Sequence, residues 1–171
     1  EQAQTQPAGA PAGAEPGKPS ELSALLEKAE PGLALLRPEE GHHPAIQSIK
    51  VVVKHAPSSK LFLRINGKDI DPILYDGSAR SADNRVAVSL WRGVPLADGD
   101  NVITATEYSE NGARLGEVTR TIHFSGPPTA VELLPERSTL VADGMTPPVL
   151  ALRLTDKDGH PAREGVVGEY T

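Results

Sequence analysis

Apolar and polar side chains alternate from residue 49 onward, with Ile49, Val51 and Val53 on one face and Lys50, Val52 and Lys54 on the other. A period of two predicts a strand. The same period returns in Leu61, Leu63 and Ile65 against Phe62 and Arg64, stops at Asn66-Gly67, and is followed by a short apolar continuation from Ile70 to Tyr75. Residues 76–84 are polar, contain Gly and Ser, and read as a loop. Val86, Val88 and Leu90 then alternate into Trp91. Two further strands, Val102 to Tyr108 and Val118 to Phe124, follow the turn sequences Asp98-Gly99-Asp100-Asn101 and Glu110-Asn111-Gly112. Asn and Gly tolerate positive φ, which makes these stretches hairpin signals.

About six or seven strands between residues 45 and 125, at this turn spacing and without intervening helix, are what an immunoglobulin-like β-sandwich requires. The predicted fold class is therefore all-β: one such sandwich over 45–126, with a short helix before it and the start of a second sandwich after it. The helix is read from Leu22, Leu25, Leu26 and Ala29 at helical spacing, with Ser20 as cap and Glu30-Pro31-Gly32 as stop; the apolar stub Leu33 to Leu36 completes a helix-and-connector segment, 20–37. That helix either caps an open end of the sandwich or offers its leucines to a partner. After the break at Ser125-Gly126-Pro127-Pro128, strand-like text restarts at Ala130 to Leu134, returns at Val149 to Leu154, turns at 156–161 and resumes from Val166 to Tyr170. Three strands leave an unpaired edge and half a core, so 130–171 reads as a partial module.

Composition changes this picture at the N-terminus. Residues 1–19 are mostly Ala, Gly, Pro, Gln and Glu with few large apolar side chains, too little to offset chain entropy, and read as a disordered tether with a reach of roughly 25 Å. The net charge of −6 is concentrated early, since seven acidic and three basic side chains in residues 1–40 leave −2 for the rest. With no run of Lys and Arg, a nucleic-acid partner is not expected. The absence of cysteine removes disulfides, thiolate metal sites and cysteine nucleophiles together. No apolar run reaches the length of a membrane span, so direct membrane insertion by this segment is not expected either, and the start at Glu1 fits a mature or excised product.

The stretch from Gly93 to Ala105, with Leu96, Gly99 and Asn101 leading into a strand, resembles the early-set sandwich modules of envelope proteins and glucodextranase-type accessory domains. From Ala130, Val141-Ala142-Asp143-Gly144 and Leu154-Thr155-Asp156-Lys157-Asp158-Gly159-His160-Pro161 resemble the start of an invasin- or intimin-type repeat. The resemblance covers about residues 45–171 and rests on turn signatures. It implies a segment of a large outer-membrane or surface protein, located in the bacterial cell envelope, in which such modules act as spacers or adhesive units beside neighbouring modules.

The candidate chemistry is thin. His42 and His43 are adjacent, so on an extended chain they point apart, and they read as a linker pair rather than metal ligands. Asp156-Lys157-Asp158-Gly159 echoes a calcium loop, but His160 stands at its fifth position and Val167 at its twelfth, which excludes an EF-hand. A calcium ion shared between modules would draw on Asp143, Asp156 and Asp158. His123 reads as a structural strand residue, and no Gly-x-Ser-x-Gly elbow occurs. No catalytic residue, cofactor or metal is expected, and binding residues are left open. Trp91, Tyr75 and Tyr108 are either core rings or a sugar-stacking platform. The resulting expectation is a non-enzymatic structural, adhesive or interaction module with a protein or envelope partner. The alternatives are a carbohydrate-binding accessory module of a larger envelope enzyme, and a subunit that assembles by β-strand addition.

Overall fold

The computed structural model describes residues 21–27 and 29–163. The readings of a tether over 1–19, of Ser20 as a cap and of a strand from Val166 to Tyr170 lie outside them. Two antiparallel four-stranded sheets make a sandwich. The first has the order β1-β2-β6-β5, built from β1 (Ala34–Arg37), β2 (Ser48–His55), β6 (Ala87–Pro95) and β5 (Tyr75–Arg80). The second has the order β4-β3-β7-β8, from β4 (Lys68–Asp69), β3 (Lys60–Ile65), β7 (Gly99–Tyr108) and β8 (Arg114–Phe124).

Alternation decides what lies between the sheets. Ile49, Val51 and Val53 of β2 meet Leu63, Ile103, Ala105, Ile122 and Phe124 of the second sheet, and Trp91, 7% exposed, anchors the same core. Tyr75 sets its ring edge-on against Trp91 at 5.5 Å. Val52, on the opposite face of β2, is nonetheless fully buried, because helix α1 (Glu21–Glu27) lays Leu22, Leu25 and Leu26 over Val52, Val86, Val88 and Leu90. The helix thus covers the outer face of the first sheet rather than an open end of the sandwich.

Three local readings are corrected. The polar stretch taken as a loop contains β5, an edge strand whose outward side chains need no apolar character because one side of it faces water. Ile70 to Tyr75 is not one strand: Asp71 accepts a hydrogen bond from the Ile73 N–H and caps a 3-10 turn, Pro72–Leu74, that carries the chain from one sheet to the other. The stub Leu33 to Leu36 contributes β1, paired with β2 in the register Ala34↔Lys54 and Leu35↔Val53, so the first sheet takes in part of the connector.

Beyond the sandwich, β9 (Ala130–Leu133) and β10 (Leu152–Thr155) form a separate antiparallel pair. Leu133 faces Leu152 and Val131 faces Leu154, giving one apolar face; Glu132 and Arg153 form an ion pair of 3.2 Å on the other. Val131, Leu133 and Leu152 stay about half exposed or more. Leu140, Val149 and Leu150, in the loop between the two strands, are exposed as well. No helix among the described residues is long and apolar enough to cross a membrane.

Candidate functional site

The turn that opens β7 is organised by one buried side chain. Asn101, fully buried, accepts from the Ala97 N–H at 2.8 Å and donates to the carbonyls of Ala97 and Gly99 at 2.8 and 2.9 Å. This holds Asp98-Gly99-Asp100 as a tight bend beside the turn 156–160. Gly99 has φ +97°, and a Cβ there would stand 3.1 Å from an Asp158 oxygen and 3.3 Å from the Lys157 ammonium. Glycine is what lets the two turns approach.

His123, near the end of β8, bridges them. Its Nδ1 lies 2.8 Å from Asp100 Oδ1 and its Nε2 lies 2.6 Å from Asp156 Oδ2. Carboxylates only accept, so both ring nitrogens donate and the imidazole is positively charged. Burial opposes that charge, but the hydrogen bonds to Asp156 and Asp100 together outweigh it and raise the histidine above its ordinary value. For Asp156, burial works against ionisation. The bond from His123 and the backbone N–H groups of His160 and Asp158 overcome it and hold the carboxyl at about 2. The Asp156 side chain is only 1% exposed and that of His123 9%.

The surroundings complete a joint between sandwich and hairpin. His160 stacks on His123 with ring centroids 3.8 Å apart and planes at 12°. Lys157 bonds Asp158 at 2.6 Å, Ser125 donates to the Pro161 carbonyl at 3.1 Å, and the Arg163 guanidinium lies over the Phe124 ring at 5.6 Å. A cavity of about 410 Å³ opens here, lined by His43, His123, His160, Ser125 and Pro161 among others.

Of the residues singled out in the sequence, Asp156 and Asp158 come together, and His43 reaches the same cavity. Asp143 does not join them: its carboxylate accepts from Met145, Thr146 and the Thr146 hydroxyl within its own turn. Asp100 and His123 carried no local signal, because they come from β7 and β8, far in the chain from the turn 156–160 to which His160 belongs. His123 lies in β8, as the strand pattern predicts, and is the centre of this cluster.

A second polar group sits inside the other end of the sandwich. His55 Nδ1 donates to the Ala56 carbonyl at 2.8 Å, so its Nε2 accepts from the Ser89 hydroxyl at 2.8 Å. The serine is buried and the histidine has no carboxylate on Nδ1; Glu107 instead accepts from the Ala56 N–H. The arrangement pairs buried polar groups across β2 and β6. It borders a cleft of about 690 Å³ lined by Phe62, Tyr75 and Trp91 as well. Trp91 is at its floor, and Tyr75 and Phe62 are the exposed rings.

No protein-family model matches the chain, and no curated protein does. Among solved structures it is similar to CopC from Methylosinus trichosporium OB3b, at 18% identity and a TM-score of 0.34, over 56% of this chain and 98% of that one.

Proposed function

We propose that this chain is a non-enzymatic interaction segment of a bacterial cell-envelope protein, consisting of one immunoglobulin-like module and the first strands of another. The strand orders β1-β2-β6-β5 and β4-β3-β7-β8 support the immunoglobulin-like reading, since they correspond to the ABED and CFG sheets of that architecture with one short added strand. The observation that carries the functional reading is the β9–β10 pair, apolar on one face, exposed there, and tied to the sandwich through His123 and Asp156. A sheet with one apolar face needs a second layer over it. A spacer or adhesive unit that continues into, or receives, further strands supplies one.

Amide exchange on the full chain, together with sedimentation, tests this. The expected result is deep protection of β2, β6 and β7 and weaker protection of β9 and β10. Equally deep protection of both in a monomer would mean that the apolar face is already closed within the chain, and the reading of an incomplete second module would fall.

A glycan-binding role keeps one observation in its favour, the cleft beside Tyr75 and Phe62. The version with Trp91 as stacking platform has lost its ring to the core. Titration of the full chain with oligosaccharides, read by tyrosine and histidine chemical shifts at the cleft, separates the two: shifts at Tyr75 and His55 support the accessory-module reading, and their absence at millimolar sugar removes it.

A further inference from the structure

We propose that the joint is a binding site for a divalent transition-metal ion, with His123 Nε2 and the carboxylates of Asp156 and Asp158 as its protein ligands. These three side chains each place a ligand atom within 4.8 Å of the others. Two are nearly buried, so the ion would sit at the edge of the core with Asp158 closing it from solvent.

The cluster is preorganised in the way metal sites are. Asp100 receives the Nδ1 proton of His123, which fixes the ring and directs Nε2 toward Asp156. A carboxylate on the far nitrogen is the outer-shell partner that orients a metal-bound imidazole and raises its basicity. Asp156 Oδ1 is likewise fixed, by the N–H groups of Asp158 and His160, leaving Oδ2 to face the histidine. The ion takes the place of the Nε2 proton, which leaves to solvent, while Asp100 retains the proton on Nδ1. Metal bonds of about 2.0–2.2 Å at a tetrahedral angle set nitrogen and oxygen roughly 3.4 Å apart, so the 2.6 Å between His123 Nε2 and Asp156 Oδ2 must open, and the half-exposed Asp158 must swing away from Lys157.

An independent observation points the same way. Three of the chain's five histidines, drawn from the loop before β2, from β8 and from the turn after β10, line one cavity at this cluster. His43 and His160 thus share a cavity with the His123 ring, on the side of it away from Asp158, which does not line that cavity. One imidazole with two carboxylates suits zinc-like ions; calcium takes six to eight oxygens and gains little from a nitrogen. The site rests on this geometry and not on the envelope reading, and either stands if the other fails.

Calorimetric titration of the full chain with zinc(II), repeated with calcium, is the test, with histidine side-chain ¹⁵N shifts as a second readout. One equivalent of zinc should bind, shift His123 Nε2 and leave its Nδ1 protonated, while calcium at the same concentration gives no heat. Asp158→Asn, whose target makes no bond to His123, should keep the metal-free fold and weaken zinc by at least about tenfold; Asp100→Asn should weaken it about 10–100-fold. Three results would overturn the site: no zinc binding at millimolar concentration, binding indifferent to Asp158→Asn and His123→Gln, or binding abolished by changing only His42 and His43, which would place the ion on the linker pair.

Discussion

Asn101 and His55 are single side chains on which whole regions depend, and each leads to a measurement. Truncating Asn101 to alanine leaves the Ala97 N–H and the carbonyls of Ala97 and Gly99 without their partner and empties a fully buried position. An unsatisfied buried group costs about 1–3 kcal/mol, and partial relaxation spreads that cost, so Asn101→Ala should lower unfolding stability by about 3 kcal/mol in urea titration. Asn101→Asp, which keeps the acceptor but turns the donating amide into an oxygen facing two carbonyls, should be no better. His55 gives a pH dependence. Burial lowers its pKa from 6.5, and the bond to Ala56 and the charge of Glu107 only partly offset this. The unfolded chain therefore takes up the proton first, so this group's contribution is full above pH 6.5 and is lost as pH falls below it. His123, raised above 6.5, has the opposite slope, which is why the comparison must be with a variant rather than with wild type alone. The stability difference between wild type and His55→Gln should shrink on going from pH 7.5 to 5.5; a difference that does not move with pH would contradict the buried neutral ring.

At the scale of elements, α1 shows how much a short helix depends on what it covers. Seven residues cannot hold a helix in water by propensity, so its stability comes from Leu22, Leu25 and Leu26 on the outer face of the first sheet. Leu26→Ala should cost about 2 kcal/mol and open the amides of α1 and the Val52 face while leaving the β3-β7-β8 sheet protected, as residue-resolved exchange would report. The strands were legible wherever one face is buried: Ile49/Val51/Val53, Leu61/Leu63/Ile65 and Val86/Val88/Leu90 all alternate. The turns at Asn66-Gly67 and Asn111-Gly112 were legible too, because positive φ at Asn66, Gly67 and Gly112 demands such residues. β5 was not, because Ser78 and Arg80 line the open cleft and only Ala79 packs under the helix, so the strand has no apolar face to announce it. Val52 was assigned to a polar face because the layer covering it is a helix some thirty residues earlier. The cluster at the joint was half legible: Asp156, Asp158 and His160 stood out within one turn, but nothing local joins them to Asp100 and His123. Those contacts exist only once β7 and β8 are paired and the hairpin has folded back.

For the whole molecule, the consequence of that joint is orientation. The hairpin makes few apolar contacts with the sandwich, and its own apolar face is open, so what fixes it is a short connection: His123 to Asp156, Ser125 to Pro161, and the His160 ring stacked on His123. Of these, the His123–Asp156 pair is the most buried, and removing one member of a buried pair strands the other. Asp156→Ala would leave the charged His123 with Asp100 alone and release the N–H groups of Asp158 and His160, so the turn itself loses its organiser. Amide protection in β9 and β10 should fall about a hundredfold, equivalent to about 2.8 kcal/mol, while that of β2, β6 and β7 holds. The ¹⁵N relaxation of residues 130–155 should then report tumbling apart from the sandwich. Protection that falls equally in both parts would show instead that the hairpin is an integral layer of one cooperative fold, and that the apolar face on β9 and β10 is not free to meet a second module in a set direction.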